Sequence, residues 1–258
     1  MSELLKTLLV DQLNVEVYQN RKVLGQVAAK NVALKMKEIL KDKDRVRMIF
    51  AAAPSQNEFL EALTKEEGID WSKVTAFHMD EYIGLQASAP QRFSHYLKER
   101  LFDIVNPGEV YLIDCENTIG DECRRYANLL TQEPIDIVCF GIGENGHIAF
   151  NDPPVADFQD PAIIKSVELD LVCQQQQVND GCFTDIESVP THALTLTIPT
   201  LISASYLFCM VPGTTKRDAV QKTLCGPIST KCPATILRRH ENCTLYTDID
   251  SCGVVEER

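Results

Sequence analysis

The sequence has no basic excess, no long apolar run and no paired-cysteine motif, and each absence removes a class of function. Lysine and arginine total 25 against 37 aspartates and glutamates, a formal charge of −12. Nucleic acid and anionic membrane surfaces need a basic footprint, so this balance argues against both as partners. It leaves room for a small anion, because a helix N-terminus and a local cation can hold a phosphate on an acidic protein. No eighteen consecutive apolar residues occur and no early apolar segment follows a basic flank. Neither a membrane span nor a signal peptide is expected, and the expected location is the cytoplasm. Cysteine is absent before Cys115, and the ten that follow form no C-x-x-C pair. Several lie in apolar runs such as Ile137-Val138-Cys139-Phe140, where they read as small reduced hydrophobes. Cys225 and Cys232 lack histidines at finger spacing, so no structural zinc is expected.

What is present is an alternation of strand and helix patterns over most of the 258 residues, 45% of them hydrophobic. Apolar residues at helical spacing predict a long amphipathic helix over residues 17–41, closed by the charged turn 41–44. A strand over 46–53 follows, and Ser55 with Glu58 three residues on forms a capping-box pattern for a helix through Leu63. Strands are predicted at 74–79, 110–113, 135–140, 193–198, 206–211 and 244–246, with helices at 91–103, 119–130 and 215–224. No repeat or low-complexity tract occurs; the least regular stretch, 151–184, reads as a mobile cover. The pattern predicts a single α/β domain over residues 1–258, a Rossmann-like, mainly parallel sheet with helices on both faces. The apolar, cysteine-bearing strands near the C-terminus are compatible with packing in a homo-oligomer.

The segment 140–154, Phe-Gly-Ile-Gly-Glu-Asn-Gly-His-Ile-Ala-Phe-Asn-Asp-Pro-Pro, concentrates chemistry at the end of a strand. Gly141, Gly143 and Gly146 match the G-x-G-x-x-G spacing of a dinucleotide turn, but that turn must open a helix and Pro153 and Pro154 leave no room for one. The remaining reading is a loop that fixes His147 and Asp152 and offers backbone N–H groups, at Gly143 and Gly146, to an oxyanion or phosphate.

Three other strand ends should share that edge of the sheet, where ligands bind in parallel α/β folds. Pro54-Ser55 follows one, Asp80-Glu81-Tyr82 the second, and Pro212-Gly213-Thr214-Thr215-Lys216 the third. Taken singly, Ser55 is a helix cap, Lys216 a solvated cation and Asp80-Glu81 an exposed pair. Taken together, they make a phosphate cradle beside acid and base groups. His78, His95, His192 and His240 lack such surroundings and read as structural or surface residues.

The run Phe77-His78-Met79-Asp80-Glu81-Tyr82-Ile83-Gly84-Leu85, the loop from Gly141 to Pro153, and Val189-Pro190 with Ala193-Leu194-Thr195 resemble the signature segments of the glucosamine-6-phosphate deaminase (isomerase) family. They come in that family's order and spacing, and the likeness spans residues 15–250. The related 6-phosphogluconolactonases share the Gly-His loop but typically carry arginine where this chain has Tyr82. The resemblance implies a small-molecule sugar phosphate as substrate and a reaction that needs no cofactor and no metal: conversion of an amino-sugar phosphate to a ketose phosphate with loss of ammonia. By that likeness Asp80 shuttles the C2 proton, His147 exchanges a proton with the ring oxygen, and Asp152 orients His147 from a place where the family usually has glutamate.

Asn145 stands where many members have aspartate and completes the expected catalytic set. Ser55, Glu81, Gly143, Gly146 and Lys216 form the expected binding set. The chain departs from the family at Ala51-Ala52-Ala53-Pro54, where Gly-Gly-Thr-Pro is common, and shows no match in residues 174–182 for an arginine that grips the phosphate. The alternatives are therefore a galactosamine-6-phosphate isomerase, a lactone hydrolase and a non-catalytic sugar-phosphate sensor.

Overall fold

The computed structural model describes residues 4–253. The strands are β1 (Leu4–Val10), β2 (Leu13–Tyr18), β3 (Val46–Phe50), β4 (Val74–His78), β5 (Asp80–Tyr82), β6 (Glu109–Tyr111), β7 (Ile137–Phe140), β8 (Ile164–Glu168), β9 (His192–Leu196), β10 (Tyr206–Val211) and β11 (Cys243–Asp248). Eight of them form one sheet in the order β1-β2-β11-β10-β7-β3-β4-β6. Every pairing in it is parallel except the β1–β2 hairpin. The predicted Rossmann-like α/β architecture is the observed one.

Side-chain alternation along the strands explains why helices cover both faces. Met48 and Phe50 of β3, Ile137 and Cys139 of β7, and Phe208 and Met210 of β10 join one core with Leu24, Ala28, Val32 and Met36 of the helix Arg21–Asp42. Ile49, Val138, Leu207 and Cys209 point the other way, into a second core with Tyr126 and Leu130 of the helix Ile119–Leu130 and Val220 of the helix Arg217–Cys225.

The departures from expectation have physical causes. The long helix begins at Arg21, because Asn20 caps it by accepting from the backbone N–H groups of Lys22 and Val23 at 3.1 and 3.0 Å. Val17 and Tyr18 belong instead to β2, whose alternating Leu13, Val15 and Val17 are buried. The predicted strand 193–198 is not part of the main sheet: β9 lies between β5 and β8 in a separate antiparallel sheet. The irregular stretch 151–184 contains β8 and the helix Leu171–Asn179, capped by Asp170.

The Ser55–Glu58 capping box does not form, since Glu58 pairs with Arg21 at 2.6 Å and the helix Asn57–Leu63 has no side-chain cap. All ten cysteines are free, as the apolar runs implied. Cys209 and Cys243, however, are buried in interior strands and offer no packing surface to another subunit. Among the described residues, no helix is long and apolar enough to cross a membrane.

The carboxyl ends of the adjacent strands β10, β7, β3 and β4 lie side by side. After β3 the chain builds outward through β4 and β6, then returns to place β7 on the other side of β3. The loops therefore diverge at the β3–β7 boundary and leave a crevice above it. On the β4 side the crevice wall is held by Tyr126, whose hydroxyl donates to the His78 carbonyl at 2.8 Å and accepts from the His78 N–H at 3.0 Å. Burial lowers the His78 imidazole to about 3, with Arg92 acting in the same direction. The ring is thus a neutral structural group whose Nε2 accepts from the Ile113 N–H at 2.7 Å. Tyr126→Phe leaves the His78 N–H unpaired in the core and should destabilise the fold by about 1–3 kcal/mol in urea unfolding; an unchanged midpoint would contradict the bridge.

Candidate active site

The crevice is one cavity lined by all four strand-end loops, including Ala51–Ser55, Met79 and Asp80, Gly141–Gly143 with His147, and Lys216. Asp80 and His147, 67 positions apart in the numbering, thus face the same space. The break after Met79 explains Asp80's position. Met79 still accepts a backbone bond from Leu196, but Asp80 already pairs with Thr195 in the second sheet, which turns the chain over the cavity mouth. Burial pushes the Asp80 carboxyl well above the usual carboxylate range, and the adjacent Glu81 adds to the rise.

His147 is held on three sides. The backbone folds back on itself, with the Gly143 N–H donating to the His147 carbonyl at 2.9 Å and the Gly146 N–H to the Gly143 carbonyl at 3.0 Å. Gly146 takes φ +83°, and a Cβ on Gly143 would sit 2.1 Å from the imidazole Cε1, so the ring lies directly on the Gly143 backbone. At the ring edge, Nδ1 is 2.9 Å from both Asn145 Oδ1 and Asp152 Oδ1. Asn145 Nδ2 in turn donates to Asp152 Oδ1 at 2.8 Å, while Asn145 Oδ1 accepts from the His147 N–H at 3.0 Å.

Both neighbours of Nδ1 are acceptors, so in the neutral ring Nδ1 carries the proton and Nε2 keeps its lone pair. Burial pushes the Asp152 carboxyl up, but its interactions with His147, Asn145 and Cys173 outweigh it and hold the group below its usual range. Asp152 is therefore an anion at the Nδ1 edge of the ring, which leaves Nε2 as the nitrogen that faces away from it.

The opposite end holds a hydroxyl and an ammonium. Ser55, released from the capping box, accepts from Gln56 Nε2 at 3.1 Å and lines the cavity at the start of the short 3-10 turn Pro54–Gln56. Lys216 is 6% exposed; burial pushes its ammonium down, while Asp180 and Glu144 act against that shift.

Of the expected site residues, Asp80, His147, Ser55, Gly143 and Lys216 line the cavity. Asn145 and Asp152 lie behind His147, and Gly146 shapes the turn; the N–H groups of Gly143 and Gly146, expected to face an anion, are both spent on carbonyls inside the loop. Glu81 faces away from the cavity: its carboxylate accepts from the N–H groups of Tyr82, Phe93 and Ser94 at 3.1, 3.0 and 2.9 Å, and Arg92 lies 3.7 Å off. It anchors the helix Phe93–Leu97 rather than reaching the cavity.

The stretch expected as a mobile cover supplies lining residues absent from the expected set, namely Gln176, Gln177, Asp180 and Cys182. Gln176 Oε1 accepts from the Glu144 N–H at 2.9 Å, and Gln177 Oε1 from the Tyr82 hydroxyl at 2.6 Å. Four consecutive glutamines inside a capped helix were the available signal, because neighbouring amides on one turn cannot all face solvent.

A family model described as glucosamine-6-phosphate isomerases/6-phosphogluconolactonase matches residues 19–246. The chain belongs to this family. Among its relatives, a glucosamine-6-phosphate deaminase of Bacillus cereus (strain G9842) is 31% identical over 246 residues, covering 95% of this chain and 90% of the relative. A solved structure described as a monomeric glucosamine-6-phosphate deaminase superposes with a TM-score of 0.85 at 29% identity, over 93% of this chain and 99% of that one. The 6-phosphogluconolactonase of Thermotoga maritima shares the fold, with a TM-score of 0.74 at 18% identity over 91% of this chain and 98% of that one.

The tautomer is directly measurable. In nitrogen-15 spectra of the histidine side chains, neutral His147 should show its proton on Nδ1; a proton on Nε2 would contradict the clamp.

Proposed function

We propose that this chain is a glucosamine-6-phosphate deaminase, converting the amino-sugar phosphate and water to fructose 6-phosphate and ammonia. The observation that carries the reading is the facing pair in the cavity: a carboxyl at Asp80 and an imidazole at His147 with its Nε2 lone pair free. The chemistry assigns each a task. His147 Nε2 takes the anomeric hydroxyl proton and returns it to the ring oxygen, which opens the ring. Asp80, once ionised, removes the proton from C2, now acidified by the C1 aldehyde, and delivers it to C1, while the C2 ammonium gives one proton to the aldehyde oxygen. The ketimine left at C2 adds water and expels ammonia. Ser55 and Lys216 bind the phosphate, so that C2 is presented to Asp80. A base placed in this way contributes about 10²- to 10⁴-fold in rate.

The Asp80 carboxyl makes no hydrogen bond among the described residues, which keeps it available for a carbon acid. Lactone hydrolysis requires no abstraction of the C2 proton and so leaves this residue without that task. The reading includes one catalytic domain over residues 1–258 and a cytoplasmic location, supported by ten free cysteines and by no described helix that could cross a membrane. Association into a homo-oligomer is a separate matter on which the deaminase reading does not depend.

Ammonia release from 2-amino-2-deoxyglucose 6-phosphate should be measurable with the purified protein. Release only from the galacto epimer would reassign the substrate, and saturable binding without release from either would make the protein a sensor. The pH profile adds a sign. Asp80 must be ionised to act, and its carboxyl is raised, so kcat/KM should rise with pH through a limb above the ordinary carboxylate value of about 4. A profile flat from pH 4 to 7 would remove Asp80 from the rate-determining proton transfer.

A further inference from the structure

Behind the catalytic imidazole lies a set of donors that the proposed reaction does not use in full. His147, Asp152 and Cys173 are all buried, and one ligand atom from each lies within 4.8 Å of the others. Cys173 enters from a different element, the first turn of the helix Leu171–Asn179, where its N–H donates to the capping Asp170 carboxylate at 2.7 Å. Asp152 Oδ2 is buried without a nitrogen or oxygen partner, and the Cys173 thiol interacts with the same carboxylate, an interaction given up when the thiol proton leaves against the burial and the Asp152 charge that push it up.

We propose that His147 Nδ1, the Asp152 carboxylate and the Cys173 thiolate form an inhibitory site for a thiophilic divalent cation, of which zinc is the type. Imidazole, carboxylate and thiolate are the donors zinc takes, and the thiolate selects against magnesium and calcium. Two singly charged anions against a dication leave a neutral centre, the only kind that burial tolerates cheaply. Bond lengths of about 2.0–2.3 Å to a shared metal put donors about 3.3–3.7 Å apart, so a pair at the 4.8 Å limit must close while Nδ1 and Asp152 Oδ1, now 2.9 Å apart, open.

The protons balance as follows. Cys173 loses its thiol proton to solvent. The imidazole stays neutral, but its proton leaves Nδ1 for Nε2 so that the Nδ1 lone pair can bind the metal. Nε2 then becomes a donor, and the acceptor needed for ring opening is gone although the sugar site is still vacant. Inhibition rests on the proposed deaminase activity; metal binding does not.

Cobalt(II) added to the chelator-treated full chain should produce a thiolate-to-cobalt charge-transfer band. That band should vanish in Cys173→Ser and persist in Cys225→Ser, which alters an exposed cysteine. Zinc should inhibit ammonia release reversibly, with a chelator restoring it. The half-inhibiting concentration should rise by at least about tenfold in Cys173→Ser, while metal-free turnover stays near that of the parent. Cys173→Ala provides the same comparison should the serine variant not fold. A band retained in both Cys173 variants, or no band at all, overturns the proposal. A Cys173-dependent band on a protein that releases no ammonia from any hexosamine phosphate leaves the metal site standing and removes the deaminase reading.

Discussion

Everything at this site depends on how one imidazole is held. The His147 ring lies on the bare backbone of Gly143 and is anchored at Nδ1 by two acceptors at 2.9 Å. The contact with Gly143 fixes the plane of the ring, and the two acceptors fix its tautomer. Neither alone would leave Nε2 pointing into the cavity with a free lone pair. The amide of Asn145 links the parts by bonding at once to the Asp152 carboxylate, the His147 backbone and the His147 ring. The loop that leaves β7 carries all three side chains, and Gln176, Ala234 and Thr195 anchor it from other elements.

The cavity sets opposing electrostatic demands at its two ends. Burial works against the charged form of Asp80 at one end and of Lys216 at the other. An anion placed against the ammonium would relieve the second demand. The first cannot be relieved in that way, and a carboxyl reluctant to ionise is a stronger base once it has done so. Asp180 lies in the stretch 174–182 where the family resemblance implies an arginine, and it acts on Lys216 together with Glu144, while Gln176 lines the same wall. The Lys216 end of the cavity is therefore less positive than the family pattern implies.

The parts of this account that were legible in the sequence are those written contiguously. The strand 135–140 and the loop after it, the four strand ends at one edge, and Asp80, His147, Ser55 and Lys216 as cavity residues could all be read from local pattern and parallel-sheet topology. What was hidden depends on partners distant in the chain. Asp80–Tyr82 is too short to announce itself as a strand and becomes one only by pairing with β9 more than a hundred residues later. Glu81 looked like its neighbour, yet its destination is the backbone of Phe93 and Ser94. The capping box at Ser55 failed because Arg21 draws Glu58 away. Cys173 was indistinguishable from nine other cysteines until the helix Leu171–Asn179 carried it against Asp152.

The central claim is that Asp80 moves the C2 proton while His147, held in one tautomer, opens the ring. It is tested most directly by incubating glucosamine 6-phosphate in deuterium oxide with the parent chain, Asp80→Asn and His147→Gln, and following label at C1 and C2. The account predicts label incorporation by the parent, none by Asp80→Asn, and a loss in His147→Gln that is largely restored when the substrate is an analogue that cannot close its ring. Incorporation by Asp80→Asn at the parent's rate would contradict it.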